Sequence, residues 1–180
     1  MSAPGVAPRG PRRERVAALV VAALLPSAVG AAPDACHLLS DDDVRRLHGQ
    51  TVSERVPSAP PARRFHVSQC VYRTGDLVQS VSVAVTAPRA AAPAGSVRAY
   101  WRERFSPPPA AASRAKDPPR PGAGLGDAAF WVGDRLSGAL YVLTDDVFVR
   151  VSVGGIGEEG PRLERTKALA ARVVERLAPR

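Results

Sequence analysis

Few residues in this 180-residue chain have types and spacings that support chemistry. Its two cysteines, Cys36 and Cys70, have no CxxC neighbour, although His37 adjoins the first and His66 stands four residues before the second, which itself lies on a stretch read as a strand. Zinc sites and redox pairs use such spacings to place their ligands on one turn. A reactive thiol or metal ligand is therefore the weaker reading. Two thiols in an exported chain pair with each other, so Cys36 and Cys70 are expected to form one disulfide, with both sulfurs committed to structure.

Other candidate chemistries are thinner. His37, His48 and His66 fall on separate stretches without the spacing of a metal helix or a zinc finger. His48 reads as the end of a helix and His66 as a loop neighbour. The run Asp41-Asp42-Asp43 lacks the spread of ligands and the closing glutamate of a calcium loop. Gly122-Ala-Gly-Leu-Gly-Asp127 follows a proline-rich stretch and leads into an apolar run. A dinucleotide fingerprint instead leaves a strand and opens a helix, so these glycines are expected to supply unusual backbone angles where a strand begins. There is no GxSxG, and the SxxK at Ser113-Arg-Ala-Lys116 lies in the proline-rich stretch without the SDN and KTG companions of a serine–lysine enzyme. The acids Asp127, Asp134, Asp145, Asp146, Glu158 and Glu159 stand where turns or helix starts are expected. No catalytic, cofactor-binding or metal-binding residue is assigned, and no cofactor is expected.

The first residues read as an address. Arg9, Arg12, Arg13 and Arg15 run into the apolar stretch 16–25, and Val29-Gly30-Ala31 offers the small residues of a cleavage site. That order predicts a secretory signal over residues 1–31, cut after Ala31. The apolar stretch is broken by Pro26 and is shorter than the ~20 residues that span a bilayer, so no membrane span is expected after cleavage. Glu14 and Arg15 follow Arg12-Arg13 where a twin-arginine signal favours apolar residues, which makes that route the weaker one. Cys36 lies beyond the small-residue site, where a lipid-modified cysteine would not stand.

Residues 32–180 then have the length of a single domain. The chain carries a formal +8, of which residues 1–31 hold +3, leaving +5 for the remainder. Lysine occurs only at Lys116 and Lys167, and so pronounced an arginine bias follows from a GC-rich genome without selection for a ligand. No RNA-binding aromatic motif, zinc-finger spacing or dense basic helix is present, so nucleic acid is not expected as a partner.

These residues must be positioned by a handful of elements. Ser40 can cap a short helix whose first turn is acidic and which ends at Gly49, with Leu39 and Val44 as a hydrophobic staple. Strands are expected at 51–56, 67–73 and 77–86, with Thr74-Gly75-Asp76 as a turn. Val81, Val83 and Val85 alternate with Ser80, Ser82 and Ala84, the period of a sheet with one buried face. Residues 57–64, rich in proline and arginine, read as a loop. Ser96 can cap a second helix in which Val97, Tyr100, Trp101 and Phe105 form one stripe. Residues 106–121 hold six prolines and read as an extended loop. Strands at 128–132, 139–144 and 147–153 form a meander. Pro161 can start a last helix with Leu163, Thr166, Ala170, Val173, Val174 and Leu177 inward and Arg165, Arg172, Glu175 and Arg176 outward.

Four motifs in this order, Cys36-His-Leu-Leu-Ser40, Gln69-Cys70-Val71-Tyr72, Gly124-Leu-Gly-Asp-Ala128 and Ala168-Leu-Ala-Ala-Arg-Val-Val-Glu-Arg-Leu177, resemble a family of small secreted or lipid-anchored bacterial domains of unknown function, frequent in actinobacteria. The resemblance covers most of residues 32–180, departs from the anchored members in lacking their lipid-modified cysteine, and carries over no catalytic residue.

The expected fold is α+β. An antiparallel sheet of five or six strands is expected to have the C-terminal helix on one face, joined there by the helix at 96–105, with the first helix tied to the second strand by Cys36–Cys70. The expected function is a non-enzymatic extracytoplasmic binding or interaction module, secreted or periplasmic. Its partner would be another envelope protein or an acidic envelope polymer held by arginines such as Arg98, Arg102, Arg165 and Arg172. The alternative is a small extracytoplasmic hydrolase whose site assembles only in three dimensions.

Overall fold

Two runs of alternating valine set the centre of the molecule. The structure, a computed structural model, describes residues 32–89, 92–105, 120–121, 124–133, 137–155 and 157–178. The expected signal segment and most of the expected proline-rich loop lie outside these residues. Strands β1 (Val52–Ser58), β2 (Phe65–Thr74) and β3 (Val81–Pro88) form one antiparallel meander. Strands β4 (Arg120–Pro121), β5 (Ala128–Gly133), β6 (Gly138–Thr144) and β7 (Val147–Val153) form another. The two join where β3 pairs antiparallel with β7, giving the order β1-β2-β3-β7-β6-β5-β4. Six strands have six residues or more, and the seventh is the two-residue β4.

β4 corrects one boundary. Arg120 and Pro121, expected to end the proline-rich loop, pair with Trp131 and Phe130 at the sheet edge, where a proline that donates nothing to a ladder is tolerated. At the opposite edge β1 is exposed, carries Pro57 and has an irregular register between Val52 and Glu54. Both features discourage a further strand from adding there.

Residues 77–79 depart from expectation as well. They form a 3-10 turn rather than the start of β3, because Asp76 Oδ1 accepts from Val78 N at 3.0 Å and caps the turn. Leu77 and Val78 consequently project outward, 69% and 57% exposed.

Helix α1 (Asp41–His48) is built as its residues dictate. Ser40 Oγ accepts from Asp43 N, the Asp43 carboxylate accepts from Ser40 N, and Gly49 closes the helix at φ +82°. Helix α3 (Glu159–Leu177) starts two residues ahead of Pro161 and buries Leu169, Ala170 and Val173 against the face of the sheet that carries Val81, Val83, Val85, Val149 and Val151. Helix α2 (Ser96–Phe105) does not share that face. Its Val97, Trp101 and Phe105 pack with Phe65, Phe130, Tyr141 and Phe148, whose side chains point to the other side of the sheet. The strand positions expected to face solvent thus hold an aromatic cluster, and an aromatic stripe finds its matching surface there.

The segment before α1 is held to β2 in several ways. Cys36 and Cys70 are bonded, with Cα atoms 5.0 Å apart. Ala35 N donates to Ser68 Oγ at 2.9 Å, Leu39 N donates to the Tyr72 hydroxyl at 3.1 Å, and that hydroxyl donates to Ala35 O at 2.7 Å. Burial pushes the Tyr72 phenol up to about 12, even though its bond from Leu39 favours the ionised form. Arg176, expected to point outward from α3, instead reaches back to α1. It donates to Leu38 O at 2.7 Å and to Asp43 Oδ2 at 2.6 Å. Burial alone would raise the Asp43 carboxyl, but the bonds from Ser40 and the Arg176 guanidinium prevail and hold it at about 2.

Two outcomes follow from this docking. Replacing both cysteines by serine should lower the unfolding free energy by about 4 kcal/mol, the chain-entropy value for a loop of this length, read from urea denaturation. Because the Asp43 carboxyl lies below its unfolded value of 3.8, its stabilisation is complete above pH ~4 and is lost as pH falls toward ~2. The urea midpoint of the native protein should therefore drop over that interval, and Asp43→Asn should flatten that part of the drop.

Candidate functional site

At the end of the sheet where β2 begins and β3 ends, the chain leaves an open cleft of about 650 Å³. Five of its lining residues are arginines. Arg63 and Arg64 come from the loop before β2, Arg89 follows β3, and Arg98 and Arg102 stand one turn apart on α2. All five are exposed. Phe65, Ala92, Pro93, Ala94 and Ala99 supply apolar lining between them. Among the described residues no aspartate or glutamate lines the cleft.

The pairing of β2 with β3 explains the convergence. Phe65 lies opposite Pro88, so the residues that flank this pair, Arg64 and Arg89, emerge together at one end of the sheet. Arg89 donates to Ala62 O at 2.9 Å, which ties the two connections to each other. The Arg64 guanidinium lies 5.6 Å from the centre of the Phe65 ring. Phe65 in turn packs on Tyr100 of α2, with ring centres 5.3 Å apart, so the sheet wall and the helix wall share one aromatic contact.

The helix wall is positioned by two acids from the second meander. Asp146, in the turn between β6 and β7, accepts from Gly95 N, Val97 N and Arg98 N, each at 3.1 Å. Ser96 was the expected cap. Its Oγ is buried without a hydrogen-bond partner among the described residues, while a carboxylate from a distant turn satisfies the helix amides. Asp127 accepts from the Arg98 guanidinium and, at 3.0 Å, from Asp145 N. Just before it, Gly126 adopts φ +58°, and a Cβ there would come within 2.3 Å of Leu143 O, so the expected need for glycine at this strand start holds.

Charge is unevenly compensated. Arg98 pairs with Asp127. Among the described residues no carboxylate pairs with Arg63, Arg64, Arg89 or Arg102. Guanidiniums do not lose their charge at any physiological pH. Their gathering therefore costs mutual repulsion that only solvent, salt or a bound anion relieves.

The sequence-derived arginine set is divided by the fold. Arg98 and Arg102 belong to the cleft, whereas Arg165 and Arg172 lie on α3, across the sheet. Arg63 and Arg64 belong to the stretch 57–64 expected to be a loop, and Arg89 follows the third strand outside the expected arginine set. The Arg63-Arg64 doublet against a strand start was the available signal, but its meeting with Arg89 depends on strand register.

The remaining candidates stay apart. His37 is exposed and lies 3.1 Å from Asp34. His48 is buried, its Nε2 2.6 Å from Gln79 O. Burial, together with the charge of Arg165, holds its pKa below the usual value despite that bond. His66 pairs in the ladder opposite Ala87. Among the described residues no group of three His, Cys, Asp or Glu is arranged to hold a metal. Of the acids, Asp127 and Asp146 are occupied in fastening α2, Glu159 accepts from Trp131 Nε1, and Asp134 lies outside the described residues. Among the described residues no helix is long and apolar enough to cross a membrane.

If Asp146 holds the helix wall, Asp146→Ala should destabilise the fold by about 1–2 kcal/mol, the upper part of the range for a lost helix cap, measured by urea denaturation. Asp146→Asn, which keeps one acceptor oxygen, should cost less.

Comparison with protein-family models, with curated proteins and with solved structures finds no match to this chain.

Proposed function

We propose that the protein is an extracytoplasmic, non-enzymatic binding module that takes an acidic ligand in the arginine cleft. The observation that carries this reading is the convergence of five guanidiniums, four of them without a carboxylate partner among the described residues, on one concave surface. Guanidinium forks bind planar and tetrahedral oxyanions through paired, charge-assisted hydrogen bonds, and a bound anion offsets the repulsion between them.

Other features support the rest of the reading. The buried Cys36–Cys70 disulfide suits a compartment where thiols are oxidised, in keeping with the export signal read over residues 1–31 and with the resemblance to small secreted bacterial domains. Among the described lining residues Ser96 carries the only hydroxyl, and neither a histidine nor a carboxylate accompanies it, so these side chains offer donors and charge rather than a nucleophile with its base. An acidic polymer of the cell envelope is the partner this surface fits best.

Binding of such a polymer should weaken as salt rises, because exposed guanidiniums are screened. Arg64→Ala combined with Arg102→Ala, one from each wall, should reduce affinity for a soluble polyanion about 100-fold, at about 1.4 kcal/mol per lost charged contact. Arg165→Ala with Arg172→Ala, across the sheet, should leave it within about twofold. Titration calorimetry of the oxidised protein checks both. Equal losses in the two double variants would replace the cleft with diffuse surface attraction.

A further inference from the structure

We infer that the acidic group bound in the cleft is a phosphate, carried as a pyrophosphate, phosphomonoester or phosphodiester. This rests on the acidic-ligand reading above and narrows it to one chemistry.

The first argument is the hydrogen-bonding character of the lining. Its side chains present guanidinium N–H groups, apolar surface and a single hydroxyl, Ser96 Oγ, which is buried. Among the described residues no other lining side chain is an acceptor. A polymer of sugar acids carries hydroxyls that donate as well as accept, and beyond Ser96 Oγ the described side chains of the lining offer those donors no acceptor, so they add little to recognition. The oxygens of an ionised phosphate only accept, so the lining and the group match in kind.

The second argument is geometric. Positive charge stands on two walls, with Arg64 and Arg89 at the sheet end and Arg98 and Arg102 on α2. A carboxylate has two oxygens in one plane, so its acceptor sites lie close to that plane and suit a single flat guanidinium fork. A tetrahedral phosphate directs oxygens to several sides and can be shared between facing walls. The amides at the start of α2 take no part, because the Asp146 carboxylate already occupies Gly95 N, Val97 N and Arg98 N. Recognition therefore falls to exposed side chains, which can be removed without dismantling a helix.

The test is titration calorimetry of the oxidised protein with polyphosphate, polygalacturonate and dextran sulfate at matched charge and salt, beside co-sedimentation with phosphatidylglycerol vesicles. Circular dichroism verifies that each variant is folded. Polyphosphate should bind at least about tenfold more tightly than polygalacturonate, and Arg64→Ala with Arg102→Ala should abolish the difference. Capture by the vesicles that the same variant loses also supports phosphate and assigns a lipid headgroup as its source, whereas binding of polyphosphate without vesicle capture assigns a soluble or polymeric one. Equal affinity for polygalacturonate overturns the phosphate inference and leaves the acidic-ligand reading standing. Tighter binding of dextran sulfate overturns it in favour of sulfate. Failure of every polyanion and of the vesicles to bind overturns both.

Discussion

The pairing of β3 with β7 is the constraint on which the molecule depends. Val81, Val83 and Val85 lie opposite Val153, Val151 and Val149, and all six are fully buried. Each meander alone would expose one of these rows. A row of buried valines opposite another excludes water from one side of the seam, while the ladder satisfies the backbone between them. Both helices that cover the sheet then take their places from this junction. α3 lies on the valine side, contacting β6 and β7, and α2 lies on the aromatic side over β3 and β7.

The cleft follows from the same junction. Its sheet wall comes from the first meander, while the two acids that fasten its helix wall, Asp127 and Asp146, come from the second. Neither meander could hold five arginines in register by itself. The acids are also spent in an instructive way. Asp146 satisfies backbone amides and Asp127 holds Arg98, so these two carboxylates are bound into the frame of the cleft. The framework is neutralised and the lining is left positive.

Local physics was legible where the chain needs only its neighbours. Ser40, the acidic first turn and Gly49 delimit α1 without reference to anything distant. The alternation around Val83 announced a sheet with a buried face, and two cysteines in a chain expected to be exported announced their own pairing. What escaped was set by contacts far apart in sequence. The cap of α2 belongs to Asp146 across some fifty positions, which left Ser96 idle although its type and place were right. Arg176 looked like a solvated residue because its partners, Leu38 and Asp43, sit at the other end of the chain. The side of the sheet taken by α2 was hidden too. Ser82 and Ala84 on β3 look solvent-facing, and only the neighbouring strands with Phe130, Tyr141 and Phe148 reveal a second apolar surface. The cleft was half visible, since Arg98 and Arg102 share a helix face while Arg64 and Arg89 meet only through the β2–β3 register.

The placement of the covalent bond has a temporal meaning. Both sulfurs belong to the first meander and its leading turn, and Ser68 and Tyr72, whose side chains bond that turn, lie within a few residues of Cys70. A polypeptide made from its amino terminus has all of these groups in hand before β4 to β7 exist. Oxidation can thus precede completion of the sheet, and the seam between the halves is left to close last, by valine against valine, on a template that is already cross-linked.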